Sequence, residues 1–409
     1  MSLTRYLPTP SDRMGVLWSL LEIEGSVVLE YGPAGTTHFS MSLLGELGIE
    51  QQNRLYTTHM SEADVVLGDV QRLEEAIIEI EESCNPKVIF ILASSVAAVV
   101  GVDIRGICTY MQERVKAKLI PFEQGGFRGD YYYGIEAVWS TIEKEIVKKK
   151  ETREGTYTII GASAWSYRMQ SDIKEIERLL WEAFGMKMNG CYCFKTSIEE
   201  LENSGDSSLN IVISSNGISV AERLKEKFDI EYVVGKPYGY KGTLQWLEEI
   251  GQKIGKEIQE SVRREIEERI DKTRMYTMYA RMLRRDKMKA TFVGEYDTII
   301  GLSSYLQTLG IEVNEIICTH SIKAIEHCRE NVVYYTKEKE KIESVKAITK
   351  QMLFADDTLL ELAPSSNLKV RISTPVLYGM DFAKHMPLVG IYGADYLLEF
   401  VQQYVQTLK

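Results

Sequence analysis

Residues 27–40 read Val27-Val28-Leu29-Glu30-Tyr31-Gly32-Pro33-Ala34-Gly35-Thr36-Thr37-His38-Phe39-Ser40. Val27, Val28 and Leu29 form a short apolar run, the pattern of a buried strand. The run breaks into two glycines around a proline, a sharp turn whose backbone can approach a neighbouring group closely. Thr36 and Thr37 suit the cap of a helix expected from about His38 to Leu47. Strand, tight turn and helix make the junction at which open α/β folds place their chemistry, at the carboxyl end of a strand.

The same pattern returns along the chain. Val88-Ile89-Phe90-Ile91-Leu92 reads as a buried strand, and Ala117–Pro121 as another. Tyr157–Gly161 is a strand running into a loop, followed by a helix over Met169–Phe184. Lys289–Gly294, a helix over Thr298–Leu309 and a strand over Val313–Cys318 make a third β/α unit. The sequence is therefore expected to form an α/β protein of three Rossmann-like β/α domains, with parallel sheets around a central cleft. The expected divisions are residues 1–153, 154–250 and 289–409, with a long connecting helix over 251–288. Ile254, Ile258, Val262, Ile266 and Ile270 recur every four residues on that helix, with a break expected near Gly251 or Gly255. Met275, Met278 and Met282 continue the stripe and are expected to pack in the core.

The chain has 409 residues, 44% hydrophobic and 26% charged, as in soluble globular proteins. No apolar run approaches the roughly 20 residues of a membrane span, and the first residues lack a hydrophobic signal core, so a cytoplasmic protein is expected. The net charge of −11 argues against nucleic acid as the main partner. The exception is the basic run Arg281, Arg284, Arg285, Lys287 and Lys289, read here as the solvated face of a helix. The six cysteines have no CxxC spacing. Cys191 and Cys193 would share one face if their segment were a strand, either as buried thiols or as a pair of metal ligands. Neither a GxGxxG fingerprint nor a GxxxxGK[ST] loop occurs, so nicotinamide or ATP binding by those loops is not expected.

Several short motifs, in order, resemble one family. The Gly32–Gly35 turn is similar to the Gly-Pro-x-Gly-Cys turn of nitrogenase component 1-type oxidoreductases, which include the molybdenum–iron protein subunits and the dark-operative protochlorophyllide reductase subunits. Ser61–Asp69 with Leu73, Ala76 and Ile77, Gly101-Val102-Asp103-Ile104, Gly125-Gly126-Phe127-Arg128-Gly129 and the carboxyl-terminal Gly390–Asp395 turn resemble further family segments. The resemblance covers nearly the whole chain. In the family, cysteines at three of these strand ends hold an iron–sulfur cluster. They fall here at Thr36, Ser95 and Gln124. The cysteine that holds the cofactor in alpha subunits lines up with Ser214, in the expected strand Leu209–Ser215, and a cofactor histidine lies near His385.

The resemblance implies a subunit whose scaffold is kept and whose thiolates are gone. Thr and Gln are poor donors to iron, so this chain alone is expected to hold no cluster through those positions. A cluster shared with a cysteine-bearing partner is the alternative. Implied partners are a homologous subunit, in a homodimer or a hetero-oligomer, and an ATP-dependent iron-protein reductase. Two functions follow. The chain is a subunit of a nitrogenase-like reductase, with a pocket near Ser95, Arg128, Ser214 and His385, or it is a non-catalytic scaffold holding a cofactor, precursor or small molecule in the inter-domain cleft. His385 and Arg128 are the candidate catalytic groups. His385 is otherwise a structural histidine, Arg128 a structural salt bridge, and Tyr131–Tyr133 either a pocket wall or packing.

Overall fold

A computed structural model describes residues 3–6, 8–46, 49, 54–68, 70–283, 288–323, 325, 328–376 and 385–407. Three parallel sheets of four or five strands follow one another along the chain, beside a two-stranded pairing of Ile23–Glu24 with Thr196–Ser197. The first contains β1 (Ser26–Tyr31), β2 (Leu55–Thr57), β3 (Val88–Ala93) and β4 (Lys118–Phe122), in the order β2-β1-β3-β4. The second contains β5 (Arg153–Ile160), β6 (Lys187–Cys191), β7 (Ser207–Val212) and β8 (Glu231–Val234), in the order β6-β5-β7-β8. The third contains β9 (Lys289–Gly294), β10 (Glu312–Cys318), β11 (Val332–Tyr334), β12 (Met352–Ala355) and β13 (Leu368–Arg371), in the order β11-β10-β9-β12-β13. Every strand pair within these sheets is parallel. β1 and β3 are buried along their whole length, as parallel strands covered on both faces must be.

In each sheet the chain reverses its direction of spread at the first strand, and each first strand ends at a glycine. A Cβ on Gly32 would lie 2.3 Å from Ser94 Cβ, and one on Gly161 would lie 2.6 Å from the Ser214 nitrogen. One on Gly294 would lie 3.4 Å from Ser373 Cβ. A glycine against a serine thus recurs at all three switch points, the crevices where open α/β sheets hold ligands.

α1 (Asp12–Leu21) is buried on every side and packs against α3 (Tyr131–Glu145). Two glycines allow the close approach. A Cβ on Gly15 would sit 2.2 Å from the Tyr131 carbonyl oxygen, and one on Gly134 would sit 1.9 Å from that of Asp12.

Several local expectations are corrected. The helix after the glycine turn, α2 (Ala34–Glu46), begins four residues early, so Thr36 and Thr37 lie inside its first turn rather than capping it. α3 starts at Tyr131 behind the cap Asp130, whose side chain accepts from the Tyr132 N–H, so the tyrosine run is helical. Cys191 ends its strand, and Cys193 follows in a left-handed turn with φ of 53°, so the two do not share a strand face. The break expected near Gly251 or Gly255 is found at Gly255, between α5 (Gly239–Ile254) and α6 (Glu260–Leu283). Met275 and Met278 are 70% and 64% exposed, not core. The basic run from Arg284 to Lys287 lies outside the described residues. No helix among the described residues is long and apolar enough to cross a membrane.

Candidate functional site

Thr36, Ser95 and Gln124 come together at the carboxyl ends of β1, β3 and β4, because these three strands are neighbours in one parallel sheet. Two of the three side chains have a local occupation. Thr36 Oγ1 donates to the Pro33 carbonyl at 2.8 Å, and Ser95 Oγ donates to the Gly125 carbonyl at 2.7 Å. The Gln124 amide oxygen is buried without a hydrogen-bond partner. Gly126 takes φ of 97°, and a Cβ there would stand 3.4 Å from both Ser11 Oγ and Ser95 Oγ.

Beneath this corner lies a feature that the sequence did not disclose. Glu30 points out of β1 into the protein and is fully buried. Its carboxylate pairs with the Arg13 guanidinium and accepts from Thr37 Oγ1 at 2.7 Å. Arg13 also donates to Ser40 Oγ at 3.1 Å. A carboxylate inside an otherwise apolar strand was the available signal, since such a charge must find a partner.

The donor set at this corner does not suit an iron–sulfur cluster. Clusters are held mainly by thiolates. Two hydroxyls donating to backbone carbonyls and one neutral amide oxygen are hard, weak donors. The cysteines lie elsewhere, and burial pushes the thiol of Cys108 up to about 12 and raises those of Cys191, Cys193 and Cys318, so none of these four is a ready thiolate. Among the described residues no three His, Cys, Asp or Glu side chains are placed to hold a metal ion.

Arg128 lies on the loop after β4. Its guanidinium is half-exposed and stands 4.0 Å from the Glu123 carboxylate, while its backbone N–H donates to Asp12 Oδ2 at 3.3 Å. Asp12 is fully buried, and that burial raises its pKa.

Ser214 and His385 lie at the junction of the second and third sheets. Ser214 Oγ is 2.7 Å from Asn216 Oδ1 and 3.1 Å from Asp297 Oδ2. Asp297 also accepts from the Ser215 N–H at 2.9 Å and from the Ser215 hydroxyl. Asp297 is in the first turn of α7 (Tyr296–Thr308), so the end of β7 is tied to a helix of the third sheet. The next residue, Thr298, is 3.5 Å from Lys236 Nζ, which stands 3.9 Å from Asp172. Burial pushes the Asp172 carboxyl up to about 6 despite that neighbour. Asp172 and Glu175, one turn apart on α4 (Met169–Phe184), accept from the backbone N–H groups of Leu388 and Ile391 at 2.7 and 3.0 Å. Glu175 therefore caps α9 (Gly390–Thr407) while also pairing with Arg178 at 2.8 Å. His385 is held beside this cap, its Nε2 3.9 Å from Glu175 and its ring edge-on to Tyr392.

The expected residues thus form two groups, at the ends of two different sheets, and Tyr132 joins them. Its ring stacks on His320 with centroids 4.1 Å apart, and its hydroxyl accepts from the Asn216 N–H at 3.1 Å. His320 is fully buried. Its Nε2 accepts from the Tyr296 N–H at 3.1 Å, which leaves the proton on Nδ1, 3.2 Å from the Ser321 carbonyl. Tyr131 packs against Trp18 and Trp165, whose rings stack on each other with centroids 5.1 Å apart. A cavity of about 50 Å³, room for a few waters, lies at the carboxyl edge of the third sheet between Tyr131, Trp165, Thr319, Asp356 and Thr374. Tyr6, Pro8, Thr9 and Pro10 also line it, with the Arg5 and Tyr6 N–H groups on the Glu338 carboxylate at 2.6 and 3.2 Å.

Known proteins share this fold. The family model described as nitrogenase component 1 type oxidoreductase matches residues 11–407. The nitrogenase iron-molybdenum cofactor biosynthesis protein NifE of Clostridium pasteurianum is 27% identical over 289 residues, 69% of this chain and 62% of that protein. The nitrogenase molybdenum-iron protein alpha chain of the same organism is 23% identical over 241 residues, 56% of this chain and 44% of that one. The chain therefore spans about half to three fifths of the length of these relatives. A solved structure titled nitrogenase Cp1 at pH 6.5 superposes with a TM-score of 0.77 over 100% of this chain and 94% of that one, at 17% identity, which carries the fold. With nearly its whole length matched, the chain belongs to the nitrogenase component 1-type oxidoreductase family.

Proposed function

We propose that this chain is the ligand-poor member of a component 1-type pair, and that a homologous subunit supplies the thiolates of any iron–sulfur cluster the two share. The observation that carries this reading is the corner of Thr36, Ser95 and Gln124, where the family's strand ends are kept and two of the three side chains are spent on backbone carbonyls. A partner face is available beside it. Each strand of the first sheet is followed by a large apolar side chain left in solvent: Phe39 after β1, Val66 and Leu67 after β2, Val99 after β3 and Phe127 after β4, all 67–81% exposed. Apolar residues gathered on one edge mark an interaction surface.

Within such a pair the chain has two possible roles. In one, the assembly takes electrons from an ATP-dependent iron protein and reduces a substrate. In the other, it holds a cofactor or its precursor without turning it over. A specific observation favours the second role. Ser214, at the position that the resemblance gives to the alpha subunits' cofactor cysteine, is engaged by Asp297 and Asn216. The cofactor-biosynthesis names of relatives such as the Clostridium pasteurianum protein support the same role.

The test is anaerobic co-purification with a cysteine-bearing homologue from the same genome. A coloured, iron-containing complex that needs both chains supports the pairing. ATP-dependent turnover on adding the iron protein selects the reductase role, and its absence with retained colour selects the scaffold. A colourless complex defeats both.

A further inference from the structure

α6 changes character along its length. Val262 and Ile266 are buried in the first half, whereas Met275 and Met278, three residues apart and so on one face, are in solvent. Beside them runs a groove of about 780 Å³ between α5, α6 and α7, lined by Tyr240, Ile270, Thr277 and Tyr305. Lys241 and Arg274 border it and are exposed. Lys241 and Arg274 are the charged side chains among the described residues that line it, and both are cationic.

We infer that this groove docks an acidic, amphipathic helix of a partner protein. A concave apolar floor edged by residues three or four apart is the geometry of helix-in-groove recognition, and methionine side chains adapt readily to an incoming apolar face. The two cations at its border, Lys241 and Arg274, would draw an acidic partner and set its orientation.

The other occupants fit less well. The rings of Tyr240 and Tyr305 are turned edge-on to each other, with an interplanar angle of 84°, and offer no open platform for stacked bases. A membrane would meet a concavity rather than a projecting apolar face. A second copy of this chain has an acidic amphipathic helix at Gln71–Cys84, but its apolar residues Leu73, Ile77 and Ile80 are already buried. The inference does not depend on whether the chain binds a cluster.

The test uses the full chain and a labelled synthetic peptide of Glu and Leu, about five helical turns long, with its leucines on one face, against a scrambled peptide of the same composition. Fluorescence anisotropy should show the patterned peptide binding about tenfold or more tighter than the scrambled one, and weakening as salt is raised. Arg274→Glu and Met278→Asp alter exposed side chains, should leave the melting temperature unchanged, and should each weaken binding by about tenfold. Equal binding of the two peptides, or full binding by both variants, would overturn the inference. So would duplex DNA or anionic vesicles binding more tightly than the peptide at the same residues. A salt-sensitive dimer of the chain that Arg274→Glu abolishes would overturn it in favour of a second copy.

Discussion

Ser214 Oγ lies 3.1 Å from the Asp297 carboxylate, a hydrogen bond that crosses from the end of the second sheet to the first turn of a helix on the third. Residues 83 positions apart are thereby fixed at the place where the family resemblance puts a cofactor ligand. Asp297 also holds the Ser215 N–H at 2.9 Å. Asp297→Ala strands that donor and the Ser215 hydroxyl, while Ser214 keeps Asn216 Oδ1, and a buried donor left unpaired costs about 1–3 kcal/mol. The variant should unfold at lower urea concentration by that amount. Ser214→Ala should cost less, because Asp297 keeps its other donors.

The Arg13–Glu30 pair supports the glycine turn from below. Glu30→Ala leaves the guanidinium buried and uncompensated, and breaking such a pair by removing one partner costs about 3–5 kcal/mol. Replacing both, as Arg13→Met with Glu30→Leu, should recover most of that loss in the same unfolding measurement, since an apolar pair needs no partner. A single variant as stable as the wild type would mean that the pair contributes nothing to the turn.

Gly125 is a second sensitive point at this corner. A Cβ there would stand 2.2 Å from Ala98 Cβ, closer than any real contact. Gly125→Ala must displace the helix Ser95–Val100 or the loop itself, and overpacking of this kind costs about 1–3 kcal/mol. Gly35→Ala, with nothing within 4 Å, should leave the melting temperature unchanged and serves as the control.

The fold was legible where one strand's worth of sequence carries the signal. Val27–Leu29 and Val88–Leu92 are apolar enough to declare buried strands, and Gly32 and Pro33 declare the turn. The helix start was misplaced because Thr36 and Thr37 resemble caps, while their hydroxyls in fact turn back to Pro33 and Glu30. Periodicity located the stripe on α6 but could not say where its packing partner ends, so Met275 and Met278 read as core. The ties that define the candidate site, Arg13 to Glu30, Ser214 to Asp297 and Tyr132 to His320, join residues far apart in sequence, and no local pattern encodes them.

Asp356 gives the fold a pH dependence. Its side chain caps α8 (Asp357–Leu362) by accepting from the Leu359 N–H at 3.0 Å, and burial pushes its pKa from 3.8 up to about 6. A carboxyl whose folded pKa is raised stabilises the fold below pH about 4, and that contribution is lost as pH rises through 6. Asp356→Asn keeps a good cap and removes the titration. The gain from this substitution should be larger at pH 7.5 than at pH 5 by about 1 kcal/mol, read from urea midpoints at the two pH values. An equal effect at both would show that Asp356 is not held neutral by its surroundings.

The most direct measurement is the iron and sulfide content of the isolated chain after anaerobic reconstitution and desalting, beside a Thr36→Cys, Ser95→Cys, Gln124→Cys variant treated in the same way. The wild-type chain should retain no stoichiometric iron and show no cluster absorbance, and the triple variant should take up more of both. A stoichiometric cluster on the isolated wild-type chain would contradict the account, because the oxygen donors at these strand ends would then be holding what only thiolates are argued to hold.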